Sequence, residues 1–466
     1  MSPTPLALIL AATAALAGAP KSVQLEGFPF VQQKPDFCGE ADVEMALRRL
    51  GRDVTQDDVF NLSGLDPLKG RGVWTDELAK ALRALGIEPG PTWYRINPSK
   101  AKAEIGAQWL ALHADLVAGT PSIVCMHYDG TPDTTEHFRL VTGYDATKDE
   151  VVYQEPAEPD GANRHLAREE FLKLWPFKPG ADHWTIIRLK IEPKGAAPKL
   201  AAIPAPTPAD LSQHVMELKK TMPRGFTLVW EKPFLVIGNE DPDKVRSRGK
   251  DVVRWERELL LKDFFAEPPS VLEDVWVFKD AATYRKYSVE LFQTEPDTPY
   301  GFYLSSRRAM VMNIRPGYGT LTHELVHPFM HANWPEGPAW LNEGLGSLFE
   351  QPAEKDGHFV GGVNWRLPGL QDALKAKEVP TLKTLVHTTE AQFYDDDTGV
   401  HYAMARYVCY WLQEKGLLVK FVKRAQELKD KDPTGWTALE EVLGADPDSF
   451  RKEWEKFVLG LRRGRA

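Results

Sequence analysis

The sequence predicts an α+β protein of two domains joined by a linker, and three observations carry that prediction. A chain of 466 residues is too long for one ordinary hydrophobic core. The stretch 192–207, E-P-K-G-A-A-P-K-L-A-A-I-P-A-P-T, is dominated by Pro and Ala and interrupts every periodic pattern. On either side of it helical and β-type runs are segregated, with helices before strands in the first half and a small group of strands before a helical half in the second. The expected division is a leader at 1–19, a first domain at 20–191, a linker at 192–210 and a second domain at 211–466.

The leader is read from Leu6 to Leu16, a nearly unbroken apolar run followed by Ala17-Gly18-Ala19. The run is too short to span a bilayer and ends in an A-x-A cleavage pattern, so it reads as a signal peptide and predicts a secreted or periplasmic protein. No later segment is long and apolar enough for a membrane span. In the first domain, Ala41, Met45 and Leu47 have helical spacing between Cys38 and Leu50, with Gly51 as a stop. Thr75 is expected to cap a second helix, T-D-E-L-A-K-A-L-R-A-L-G, and a third is expected near Ala107–Val117. The runs P-S-I-V-C-M-H-Y, H-F-R-L-V-T-G-Y, E-V-V-Y-Q and H-W-T-I-I-R-L-K-I read as strands packed on the leading helix.

The second domain opens with an expected hairpin, F-T-L-V-W-E-K-P-F-L-V-I-G, and a long helix at about 242–265. Strands near Val275–Phe278 and Ala309–Ile314 flank a helix at Ala282–Glu290. Beyond Thr320 the pattern is mainly helical, most clearly at His401–Leu412 and Asp448–Leu459.

Composition narrows the function. The net charge of -9 and pI of about 5.8 argue against a nucleic-acid or anionic-membrane binder. Cys38, Cys125 and Cys409 are too few for a disulfide scaffold. Cys125 in a strand and Cys409 in an apolar helix read as packing residues.

Two constellations carry chemistry. The run T-L-T-H-E-L-V-H contains H-E-x-x-H at His323, Glu324 and His327. Residues four apart share a helix face, so both imidazoles reach one metal ion, and zinc suits two imidazoles with a carboxylate. P-A-W-L-N-E-G then places Glu343 on a returning helix. This order resembles the gluzincin metallopeptidases, closest to those with a W-L-x-E-G motif, over roughly Phe226 to Ala425. The resemblance implies a zincin-like domain, Zn2+ held by His323, His327 and Glu343, and Glu324 as general base. His331, one turn beyond His327, is a second candidate for the third ligand. Pro328 predicts that the helix kinks or ends there. Ser347 stands where many gluzincins place an acid that orients a ligand histidine. His401 and Tyr402 are the candidates for oxyanion stabilisation, with Tyr402 chosen. The run A-M-V-M-N-I resembles the edge strand on which zincins hold extended peptides. The G-x-M-E-N motif of related aminopeptidases is missing, which favours an endopeptidase.

In F-V-Q-Q-K-P-D-F-C-G-E-A, Cys38 stands at a helix N-terminus, where the dipole favours a thiolate. His137 begins a strand and Glu155-Pro156 ends the next. Q-x5-C-G, H-F-x-x-V-x-G-Y and E-P resemble the papain-like peptidases that process double-glycine leader peptides, over about Gly27 to Ile191. The resemblance implies a papain-like fold, with Gln32 as oxyanion donor, Cys38 as nucleophile, His137 as base and Glu155 in place of the family's Asp. Gln33 is the alternative donor. The resulting expectation is an exported zinc endopeptidase acting on peptide or protein substrates. Its first domain is either a second, thiol-dependent peptidase or an inactive peptide-binding module. A non-catalytic peptide- or wall-binding protein is the remaining reading.

Overall fold

The computed structural model describes residues 20–132, 134–179, 182–395 and 399–463. The expected signal peptide lies outside the described residues. The chain divides into two compact units. One comprises residues up to 203 together with 207–220, and the other comprises 204–206 and the residues from 221 onward.

The first unit begins with the short strand β1 (Val23–Gln24) and the helices α1 (Cys38–Arg49), α2 (Gln56–Ser63) and α3 (Thr75–Ala84). Thr55 caps α2 through a reciprocal capping box with Asp58. Thr75 is the first residue of α3 rather than its cap, and Glu77 accepts the Trp74 N–H instead. Strands β2 (Ile87–Glu88) and β3 (Trp93–Ile96) precede α4 (Ala101–Val117). Then follow β4 (Ser122–His127), β5 (Glu136–Asp145), β6 (Glu150–Gln154), β7 (Arg164–Ala167), α5 (Arg168–Leu174), β8 (Trp184–Lys190), β9 (Glu192–Pro193) and α6 (Pro208–Thr221). The antiparallel sheet runs β3-β8-β4-β5-β6-β7, with β1 on β5. Alternation along β4 places Ile123 and Cys125 in the core shared with α1–α3, and Val124 and Met126 in the core under α4. The sheet therefore carries helices on both faces, not only the leading helix the sequence suggested.

The expected linker at 192–210 is shorter than the composition implied. Glu192 and Pro193 pair with β2, and α6 belongs to the first unit. The physical reason is the apolar face of α6. Ala209 and Met216 join the first unit's core, and Ser212 Oγ donates to the Arg71 carbonyl at 3.1 Å.

The second unit opens with the hairpin β10 (Thr227–Glu231) and β11 (Phe234–Gly238). The expected long helix is divided into α7 (Pro242–Arg248), a π-helical turn at Gly249–Arg254 and α8 (Trp255–Asp263). Strand β12 (Glu273–Phe278), helix α9 (Ala281–Phe292) and strands β13 (Gly301–Leu304) and β14 (Ala309–Asn313) complete a five-stranded sheet, ordered β10-β11-β12-β14-β13. The run A-M-V-M-N-I is thus an inner strand. β13, antiparallel to β14, forms the edge. α10 (Gly319–Asn333) and α11 (Ala339–Leu348) follow, then a hairpin of β15 (Pro352–Lys355) and β16 (His358–Gly361) inside the half expected to be mainly helical. The remainder is α12 (Leu367–Ala376), α13 (Leu382–Val386), α14 (Glu390–Asp395), α15 (Val400–Glu414), α16 (Leu418–Leu428), α17 (Trp436–Leu443) and α18 (Arg451–Gly460).

α10 runs on through Pro328, so of the two expected outcomes, a kink or an end, the helix does not end there. Leu325, Val326, Phe329 and Met330 are buried on both sides of the proline, and that packing outweighs the one helical hydrogen bond Pro328 cannot donate. No described helix is long and apolar enough to cross a membrane.

Candidate active sites

In the second unit, α10 presents His323 and His327 one turn apart on one face, and α11 returns Glu343 to them. One ligand atom from each of the three residues lies within 4.8 Å of the others. The exposed His331 does not join this group. His323 Nε2 stands 3.1 Å from Glu343 Oε2, and the two imidazole centroids are 5.0 Å apart. The close approach of the two helices depends on the E-G-L-G-S run. A Cβ at Gly346 would stand 3.1 Å from the His323 ring, and one at Gly344 would meet Cys409 Sγ at 3.0 Å. Cys409 is therefore a packing residue.

The surroundings fix the group. His327 Nδ1 is 2.8 Å from Asn342 Oδ1, which leaves Nε2 directed at the group. On the other imidazole, Nδ1 of His323 faces Glu350 Oε1 at 3.5 Å, long for a hydrogen bond but within ion-pair range. Glu350 is itself held by Arg366 at 2.8 Å and Asn364 at 2.7 Å. The acid that faces His323 is thus Glu350, seven residues after Glu343 rather than four. Burial would raise the Glu350 carboxyl, but His323 and Arg366 outweigh it and bring it down to about 2.

The residues fit zinc. Glu343 Oε2 is buried and faces the His323 ring nitrogen, while Tyr394 donates to Oε1 at 2.7 Å. Tetrahedral zinc with bonds of about 2.1 Å separates two ligand atoms by about 3.4 Å, close to the 3.1 Å between His323 and Glu343. Glu324 Oε2 lies 3.8 Å from His327 Nε2, beside the group and outside it.

A third aromatic residue joins the two oxyanion candidates beside the group. Tyr402 packs its ring on Phe393, with Arg366 over its face, and His401 stacks on Phe393. Tyr394, in A-Q-F-Y-D, donates its hydroxyl to Glu343 of the group. Only its neighbouring aromatic Phe393 hinted at a buried anchor in that segment.

In the first unit, His137 Nε2 on β5 and Oε1 of Glu155, the residue just past the end of β6, are 2.5 Å apart. Arg139, two residues beyond His137 on the same strand face, donates to Glu155 Oε2 at 2.6 Å. Burial would raise the Glu155 carboxyl, but the His137 bond and the Arg139 charge hold it below its ordinary range. Arg139 was not among the sequence candidates; the H-F-R spacing carried the signal.

Cys38 is the first residue of α1, as expected for a dipole-activated thiol. Its environment acts the other way. Burial pushes the thiol up, and the carboxylates of Glu40, Asp42 and Asp36 push in the same direction. The Phe138 N–H opposes them. Among the described residues no hydrogen bond joins Cys38 Sγ to the His137 ring. Gln32 is exposed, whereas Gln33 holds its Oε1 buried and unpartnered, and its N–H donates to the Pro156 carbonyl at 2.9 Å beside Glu155. Gln33 is thus the glutamine nearer the acid.

Two solved structures are similar to part of the chain. A double glycine motif protease from an AMS/PCAT transporter, in complex with the leader peptide, is 21% identical and covers 37% of this chain and 98% of its own, with a TM-score of 0.24. The peptidase domain of Streptococcus ComA, a bi-functional ABC transporter in a quorum sensing pathway, is 14% identical and covers 36% and 99%, with a TM-score of 0.23. No curated protein matches the chain. Residues 25–177, which include Cys38, His137 and Glu155, match the Peptidase_C39 like family.

Proposed function

We propose that the chain is a peptidase whose principal site is the zinc-binding group of the second unit. The observation that carries this reading is the convergence of His323, His327 and Glu343 within 4.8 Å, with Glu324 beside them. Zinc held there supplies Lewis-acid polarisation and makes hydroxide available near neutral pH. The chain's own residues do the rest. Asn342 and Glu350 orient the two imidazoles. Glu324 takes a proton from the attacking water and returns it to the leaving amine. Tyr394, detached from Glu343, places a hydroxyl where negative charge develops on the carbonyl oxygen. The edge strand β13 offers free backbone groups to an extended peptide.

Glu324→Gln tests this directly. The variant should bind zinc like the parent and lose peptidase activity by several orders of magnitude, while His323→Ala and Glu343→Ala lose zinc. A wild-type chain that takes up no zinc near neutral pH would overturn the reading.

The paired His137 and Glu155 favour a second reading for the first unit, a thiol peptidase in which Cys38 rests protonated and His137 accepts its proton only when substrate is bound. An exported location fits a peptidase of this kind and is part of the same proposal.

A further inference from the structure

A cleft of about 490 Å³ adjoins the metal-ligating group, with His327 in its wall. It also contains a carboxylate that the proposed hydrolysis does not use. Glu273, the first residue of β12, lines the cleft and is only 5% exposed. Among the described residues its side-chain hydrogen bond comes from the Tyr303 hydroxyl on the edge strand, 3.2 Å from Oε2. Among the described residues no Lys or Arg forms an ion pair with it. Arg308, also in the wall, is exposed and moderates the carboxyl only from a distance. A buried carboxylate with a single neutral donor is incompletely compensated, and burial pushes Glu273 up to about 7. Met330 and Trp334 give the same cleft an apolar wall.

We infer that this cleft is the subsite for a basic side chain of the peptide substrate. The aliphatic stem of a lysine or arginine lies on Met330 and Trp334, and its cationic head meets Glu273. The inference rests on the peptidase reading above, because His327 places the cleft beside the bond to be cleaved. It goes further by naming the substrate class. A desolvated charge pair at a subsite discriminates strongly, since the unpaired partner is left buried when the wrong residue enters.

The test uses the full-length chain loaded with zinc and a quenched-fluorescent peptide set differing at one position: Lys, Arg, norleucine, Gln or Glu. The expected result is a kcat/KM preference for Lys and Arg over norleucine on one side of the scissile bond. In Glu273→Gln the Lys-to-norleucine ratio should fall on the order of 30-fold. Cleavage with no basic preference, with a Glu preference, or with a ratio unchanged in Glu273→Gln overturns the subsite and leaves the peptidase reading standing. Absence of any cleavage overturns the peptidase reading instead. The subsite is then decided by fluorescence anisotropy of the labelled Lys and norleucine peptides on wild-type protein. Equal affinities overturn it, and tighter binding of the Lys peptide that is lost in Glu273→Gln upholds it.

Discussion

The hydroxyl of Tyr394 donates to Oε1 of Glu343 at 2.7 Å, so a tyrosine 51 residues downstream is fastened to the carboxylate that closes the His323–His327–Glu343 group. Tyr394 belongs to the short helix α14, whose Phe393 is fully buried while Tyr394 stays 39% exposed. The segment is thus anchored by one aromatic and presents the other to the site. Burial and the Glu343 carboxylate both raise the Tyr394 hydroxyl, so it stays protonated and able to donate throughout the working pH range.

Tyr394→Phe should therefore retain zinc and lose about 100-fold in kcat, the usual cost of one oxyanion donor. Tyr402→Phe should cost less, because the Tyr402 ring is engaged in packing with Phe393 and Arg366. Zinc analysis beside steady-state kinetics on both variants decides the matter. A larger loss in Tyr402→Phe would restore Tyr402 to the role its sequence position suggested.

Glu350 Oε1 stands 3.5 Å from Nδ1 of His323, and Arg366 and Asn364 hold the carboxylate there. Glu350→Ala should weaken zinc affinity roughly 10- to 100-fold, as for other partners of ligand histidines. Ser347→Ala should leave it unchanged, since Ser347 Oγ has no hydrogen-bond partner. Competition with a zinc chelator measures both. Equal affinities in Glu350→Ala and the parent would remove Glu350 from the site.

The contrast between His327 and Glu350 shows what the sequence could disclose. H-E-x-x-H is a local pattern: four residues of helix bring both imidazoles to one face, and no knowledge of the rest of the fold is required. Glu350, Tyr394 and Arg139 reach their sites through tertiary packing, and their spacing from the motif has no fixed chemical meaning. The mixture of helices and strands was legible because hydrophobic periods differ between the two, whereas their interleaving, with β2 and β3 between α3 and α4, was not. The hairpin β15–β16 was not read, although Asp356-Gly357, both with positive φ (55° and 75°), is a turn pair that favours hairpins. Its four-residue strands are too short to stand out from the helical pattern around them. The continuation of α10 past Pro328 was unreadable for the opposite reason: a strong local signal lost to core packing.

The first unit buries acids on α1. Glu40 is fully buried, with Oε1 accepting the Val73 N–H and Oε2 unpartnered, and burial raises it to about 8. Its ordinary value is 4.5, so between pH 4.5 and about 8 the folded chain keeps a proton that the unfolded chain releases. Stability must then fall as pH rises through that window, by up to about 1.4 kcal/mol per pH unit from this group. Below pH 4.5 the contribution is fully present. Glu40→Gln keeps an acceptor for Val73 and removes the titration, so its stability should fall less steeply over pH 5 to 7.5. Asp42, raised in the same direction, leaves a residual slope. Calorimetric unfolding at several pH values measures the difference, and parallel slopes would contradict it.

Cys38 tests how the first unit works. A helix N-terminus alone would lower its pKa, yet burial and three neighbouring acids act against the thiolate, and Glu155 takes up Nε2 of His137, which leaves Nδ1 as the ring nitrogen that can accept the sulfur's proton. A thiol in this state is neutral at rest. Iodoacetamide reacts with the thiolate, so labelling of Cys38 in the free protein should be slow at pH 6 and accelerate only in the alkaline range. If substrate alignment lets His137 take the proton, a bound peptide should raise the labelling rate at pH 6, and His137→Ala should abolish that increase. Cys38→Ala should remove any iodoacetamide-sensitive cleavage and leave chelator-sensitive cleavage intact. Rapid labelling at pH 6 without peptide would mean a preformed thiolate–imidazolium pair, contrary to the burial and the acidic neighbours of the thiol. Slow labelling with and without every peptide in a diverse pool, together with no iodoacetamide-sensitive cleavage, would remove the thiol mechanism and leave the first unit as a peptide-recognising module.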